Sequence, residues 1–238
     1  MADLRLEVCV TSVQDAITAS LNGANRLELN VALELGGLTP SLGLMQEVKQ
    51  SIEIPVIAMI RPRAGGFHYS QGELAVMQRD AECLLECGAD GIAVGFLTPQ
   101  AMINMELLKR FRILSIRREL VFHRAFDVIS DQAAALQQLI DCGVDRVLTS
   151  GGALSALEGR KRIGDLQRQS QGRIEILAAA GIDAANVTQL VHSTGCRQVH
   201  GSFRMHCHDP AGPVGDANYP GTCPRAVASM RAALDRIN

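Results

Sequence analysis

An α/β chain closed into a single-domain (β/α)8 TIM barrel is the architecture the sequence predicts, on three observations. Eight short runs rich in Val, Ile and Leu alternate with stretches of helical spacing, and no domain-sized linker interrupts them. One helix-to-strand joint recurs along the chain. Polar side chains gather where the strands end, which is the edge on which barrels carry their chemistry.

The strand-like runs fall near residues 4–10, 26–30, 55–61, 91–97, 119–126, 146–150, 174–179 and 198–203. Between the first two, Val13, Ala16, Ile17 and Leu21 repeat at helical spacing; before the fourth, Leu74, Met77, Cys83, Leu84 and Cys87 do the same. The joint reads Asn22-Gly-Ala-Asn25, then Cys87-Gly-Ala-Asp90, then Cys142-Gly-Val-Asp145, with a degenerate copy at Thr194-Gly-Cys-Arg197. Glycine there suits a left-handed helix C-cap, and Asn or Asp suits a tight turn before a strand. The copies stand about two βα units apart, ahead of strands two, four, six and eight. A doubly wound open sheet is the alternative architecture, but it gives no reason for that regularity.

At 238 residues the chain fits one large domain. A net charge of -2 gives no general attraction to nucleic acid or anionic membranes, and no Trp with only two Tyr leaves little for stacking bases. No apolar run reaches membrane-spanning length. Asp3, Arg5 and Glu7 break up the N-terminal region, and seven cysteines, an odd number, fit reduced thiols better than a disulfide framework. The expectation is a cytoplasmic protein that binds a small ligand or metal ion, with no nucleic acid and no membrane. P-loop, nucleophile-elbow and dinucleotide motifs are absent from the sequence.

Alternation puts Glu7 and Cys9 on one face of strand one, and Glu28 and Asn30 on one face of strand two. An ionised carboxylate inside a barrel needs a partner, and Arg61 and Arg63 at the end of strand three are the candidates. Strand five ends Phe122-His-Arg-Ala-Phe-Asp127, with His123, Ala125 and Asp127 expected on one face. Two readings stand side by side: an internal salt-bridge network that fixes the barrel's register, or a mixed-charge pocket. In the pocket, Arg61, Arg63 and Arg124 would clamp a carboxylate or phosphate while Glu28, His123 or Asp127 moves a proton.

Glycine-rich loops at 34–41, 64–66 and Ser150-Gly151-Gly152 could cradle an anion on their N–H groups or serve only as turns. For soft metals, Cys9 lies at the expected mouth. Further on, His206-Cys207-His208, with Met205 before it and His200 on strand eight, suits Cu(I) or Zn, although the cluster lacks structural-zinc spacing and otherwise reads as a polar loop.

Several motifs, in order, carry a family resemblance: Leu6-Glu-Val-Cys9-Val, Arg26-Leu-Glu-Leu, Gly36-Gly-Leu-Thr-Pro-Ser41, Met59-Ile-Arg-Pro-Arg63, Phe122-His-Arg-Ala-Phe-Asp127 and Asp145-Arg-Val-Leu-Thr-Ser-Gly-Gly152. Together they resemble the CutC family of copper homeostasis proteins. The resemblance implies a (β/α)8 barrel, a cytoplasmic location, assembly into a homo-oligomer, and Cu(I) binding in copper handling. Two departures stand out. Asn30 occupies the place of a second family cysteine, which removes a Cu(I) pair with Cys9, and Ala178-Ala-Ala-Gly181 replaces a glycine run. The segment after about residue 200 also diverges. Read from the residues alone, a lyase or isomerase for a small anionic substrate competes with the copper reading, and a partner-binding scaffold is a third possibility.

Overall fold

The computed structural model describes residues 4–213 and 217–237. Eight parallel strands close into a barrel in sequence order: β1 (Arg5–Val10), β2 (Arg26–Leu29), β3 (Val56–Met59), β4 (Gly91–Val94), β5 (Glu119–Phe122), β6 (Arg146–Thr149), β7 (Glu175–Ala178) and β8 (Gln198–Gly201). The barrel shuts where β8 pairs with β1, with Glu7 opposite His200. Helices α1 (Val13–Leu21), α2 (Leu42–Ser51), α3 (Gln71–Glu86), α4 (Met105–Leu114), α5 (Gln132–Asp141), α6 (Arg160–Ser170), α7 (Val187–Thr194) and α8 (Pro224–Asp235) alternate with the strands.

Strand alternation divides the apolar residues into two layers. Outward residues such as Leu6, Leu27, Ile92, Phe122, Val147 and Val199 pack under the helices in one continuous core. Inward residues Ile57, Met59, Ala93, Val121, Leu148, Leu177 and Ala179 form a separate cluster inside the barrel. This is the packing of a filled barrel rather than a pore. The helices start at side-chain caps the sequence supplies: Ser12, Ser41, Asn104 and Asp131 each accept a backbone N–H, and Ser70 with Glu73 forms a full capping box.

The repeated joint does more than turn the chain. Its glycines lie in the left-handed region, at φ +98° for Gly23 and +95° for Gly88. The Asn or Asp that follows reaches across to the preceding strand: Asn25 accepts Leu6 N–H, Asp90 accepts Val56 N–H and Asp145 accepts Leu120 N–H, each at 2.8 Å. At the degenerate copy, the Arg197 carbonyl accepts Arg5 N–H at 2.9 Å. The side chain therefore occupies donors at the strand's entry that the ladder leaves over, and it fixes register as well as direction.

The strands are shorter than the apolar runs suggest, because their last residues already belong to the loops. The largest difference follows β5, where residues 124–128 wind into a 3-10 turn. His123 still points inward, but alternation no longer governs Arg124 and Asp127. The cause is local: the His123 ring accepts Ala125 N–H at 3.1 Å and caps the turn. After β8 comes an antiparallel hairpin, β9 (Arg204–His208) and β10 (Asn218–Thr222). Thr222 N–H donates to Asp15 of α1 at 2.6 Å, which seats the hairpin before α8.

Candidate functional site

A cavity of ≈ 1130 Å³ opens at the carboxyl ends of the strands. Its floor is polar and its near wall carries Met59, Phe67, Leu148 and Ala179.

Beneath the floor runs the salt-bridge network. Glu7 pairs with Arg26, which also donates to Gln198 at 2.8 Å. Arg146, among the most buried side chains, bonds Glu119 at 3.0 Å and Glu175 at 2.9 Å. The partner of the interior Glu7 is thus Arg26, from within a strand, rather than Arg61 or Arg63, and Glu28 turns to Asn30 and His200, while Arg146 holds the half-exposed Glu119 and Glu175. Strand-interior arginines on the inward face are the signal that sequence reading missed. Burial opposes the Glu7 charge, but Arg26 and His200 outweigh it and hold the carboxyl well below the usual carboxylate range.

Above this network stand Cys9, Glu28 and His200, whose ligand atoms all lie within 4.8 Å of one another. His200 Nδ1 bonds Glu7 at 2.8 Å, and its Nε2 faces Glu28 at 4.0 Å. Since Glu7 is ionised and only accepts, Nδ1 carries the proton of that bond, and in the neutral ring Nε2 offers its lone pair upward. A carboxylate behind the imidazole in this way is the usual backing of a metal-binding histidine. Burial pushes the Cys9 thiol far up, and Glu28 adds to the effect; burial also raises Glu28 itself. Burial disfavours charged His200, but the Glu7 hydrogen bond and the Glu28 charge outweigh it and lift its pKa. Asn30 donates to Cys9 Sγ at 3.2 Å and to Glu28 at 2.9 Å, so it occupies the place a second thiol would have beside Cys9.

The other soft-ligand cluster does not converge. His206, Cys207 and His208 are consecutive on β9, so Cys207 points to one face and the two imidazoles to the other. The Cys207 thiol lies over Gly221 of β10. Among the described residues, Cys9, Glu28 and His200 alone form a three-ligand group. Sequence proximity groups His200 with this hairpin, yet its inward position on β8, two residues after Gln198, assigns it to the barrel floor.

The expected anion clamp also rearranges. Arg63 leaves the cavity: it pairs with Glu73, and its guanidinium lies over Tyr69 at 5.2 Å. Arg61 stays in the wall, where its Nη1 donates to the carbonyls of Leu35 and Gly37 and its Nη2 to that of Gly65. Two glycine-rich loops thus offer carbonyls to Arg61. Gly36 is required there, since at φ +89° its absent Cβ would sit 2.9 Å from Arg61 Nη1.

The third loop does bind an anion, and that anion is Asp127. Its carboxylate accepts Ser150 N–H and Gly152 N–H at 3.1 Å and the Thr149 hydroxyl at 2.5 Å, while Arg124 pairs with it at 2.8 Å. Gly151 N–H goes to Thr149 Oγ1 at 2.8 Å. Both Asp127 oxygens are therefore engaged, and Ser150, Gly151 and Gly152 have no spare N–H for a phosphate.

A sequence model of the CutC family matches residues 4–205. The human copper homeostasis protein cutC homolog is 44% identical over 199 residues, covering 84% of this chain and 73% of the relative. A CutC family protein of Treponema denticola is 40% identical over 221 residues, 93% of this chain and 90% of its own. The crystal structure of CutC from Streptococcus agalactiae superposes with a TM-score of 0.80 at 34% identity, over 84% of this chain and 98% of that one. The aldolase QR15, at 14% identity and a TM-score of 0.64 over 84% of this chain and 91% of its own, shares the fold alone.

Proposed function

The chain belongs to the CutC family, and we propose that it serves copper homeostasis by holding Cu(I) on Cys9 and His200 at the barrel floor, with Glu28 beside them. One observation carries this reading: a thiol, an imidazole backed by a carboxylate, and a further carboxyl group converge inside the mouth cavity. Sulfur and imidazole nitrogen are the donors a soft monovalent ion prefers. Copper is cargo here. Cys9 must lose its proton to bind it, and Glu28, whose own carboxyl is raised by burial, is the neighbouring acceptor.

A reducing, cytoplasmic setting is supported by seven cysteines that are all free and by the lack, among the described residues, of a helix long and apolar enough to cross a membrane. Self-association is supported by the exposed Ile113, near the end of α4, and Ile116, just after it.

The test is an anaerobic Cu(I) competition titration against a chromophoric chelator. Wild type should bind near one equivalent. Cys9→Ser and His200→Gln should each weaken binding by about tenfold or more, and Cys207→Ser should leave it unchanged. Loss in Cys207→Ser with retention in Cys9→Ser would move the site to the hairpin and refute this reading.

A further inference from the structure

The copper site leaves the opposite wall of the cavity unexplained. Arg61 is 6% exposed and His123 3% exposed, and both line the mouth. Each keeps one buried nitrogen without a hydrogen-bond partner, Nε of Arg61 and Nε2 of His123. Of the five such side-chain atoms among the described residues, three belong to residues lining this cavity, Asn30 Oδ1 being the third. Buried polar groups are nearly always satisfied, so a concentration of exceptions at one concave surface marks an absent partner.

The chemistry of that partner follows from the two donors. The carbonyls that accept from Arg61 are neutral, the neutral Tyr69 hydroxyl lies close by, and none of the ion pairs among the described residues includes Arg61. A buried guanidinium without a counter-ion calls for one negative charge. His123 accepts Ala125 N–H at Nδ1, so in the neutral ring its proton sits on Nε2, which is a neutral donor. Both groups pack on one ring: Phe67 lies 5.1 Å from the His123 imidazole and 5.3 Å from Arg61 Cζ. Gly95 makes the room, since a Cβ there would sit 2.2 Å from His123 Cε1.

A phosphate is a poor match. It would bring about two charges to the buried Arg61, the loop N–H groups that could share them already hold Asp127, and Arg204, which also lines the cavity, is exposed. Met59, Phe67 and Leu148 make part of the wall apolar.

We propose that the mouth cavity binds a small 2-oxo acid between Arg61 and His123, its carboxylate paired with the Arg61 guanidinium and its 2-oxo oxygen accepting from His123 Nε2 once these enclosed side chains turn toward the cavity. The site is distinct from the copper ligands and does not depend on copper being bound.

The experiment uses the metal-free full chain and 13C-labelled pyruvate observed by NMR, with acetate and inorganic phosphate as competitors. Pyruvate should bind saturably, acetate should compete more weakly, and phosphate should not compete. Arg61→Gln should weaken pyruvate by at least about tenfold, the loss expected for a charge-assisted hydrogen bond. His123→Phe keeps a ring against Phe67 and removes the donor; it should weaken pyruvate about threefold or more while leaving acetate unchanged. Because Arg61 anchors two loops, His123→Phe carries the test if Arg61→Gln does not fold. Absence of saturable pyruvate binding, displacement by equal phosphate, or unchanged affinity in His123→Phe overturns the proposal. Since copper is absent throughout, none of these results bears on the copper site.

Discussion

Replacing Asp127 by asparagine separates a structural carboxylate from a proton carrier. The carboxylate accepts the Thr149 hydroxyl at 2.5 Å and the N–H groups of Ser150 and Gly152 at 3.1 Å, with its side chain only 10% exposed. Charge-assisted hydrogen bonds are roughly twice as strong as neutral ones, so neutralising this acceptor costs about 1 kcal/mol for each of the three. The half-exposed Arg124 adds little. Asp127→Asn should therefore cost about 3 kcal/mol, which for a chain of this size lowers Tm by about 6–12 °C. Thermal denaturation followed by circular dichroism measures it, with urea unfolding as the check. A Tm change under about 2 °C would refute the argument that this carboxylate holds the loop after β6.

Two further predictions rest on single residues. His123 is pushed down to about 3 by burial and by the Arg61 charge, so the fold holds it neutral while the unfolded chain takes up a proton as pH falls through about 6.5. Its contribution to stability is full above that pH and falls by about 1.4 kcal/mol per unit below it, down to the folded value. In His123→Phe the urea midpoint should decline less between about pH 6.5 and 4.5; an unchanged decline would contradict this. Ala180 has φ +82° and lines the cavity. Ala180→Gly should raise stability by about 1 kcal/mol through relief of the left-handed strain, read as a higher Tm, and a lower Tm would be the opposing result.

The barrel is legible in the sequence because two periodicities and a repeated joint encode it locally. Each strand run and each glycine of the joint is a short-range feature that the fold reproduces. Inwardness is legible too where strands persist: Glu7, Cys9, Glu28 and Asn30 follow alternation. It fails after Phe122, where a histidine cap converts strand into 3-10 turn and removes the rule. Partner choice is the least legible part. Arg61 and Arg63 carry the same charge two residues apart, but loop carbonyls capture one and Glu73 of the α3 capping box the other. Only closure of the barrel brings His200 of β8 beside Cys9 and Glu28. Sequence proximity points instead to a hairpin whose ligands strand geometry sends to opposite faces.

X-ray absorption at the copper edge of the Cu(I)-loaded protein reads directly which atoms hold copper. One sulfur and one imidazole nitrogen per copper are expected, with the sulfur signal lost in Cys9→Ser and kept in Cys207→Ser. Two sulfurs per copper, or an unchanged spectrum in Cys9→Ser, would contradict this.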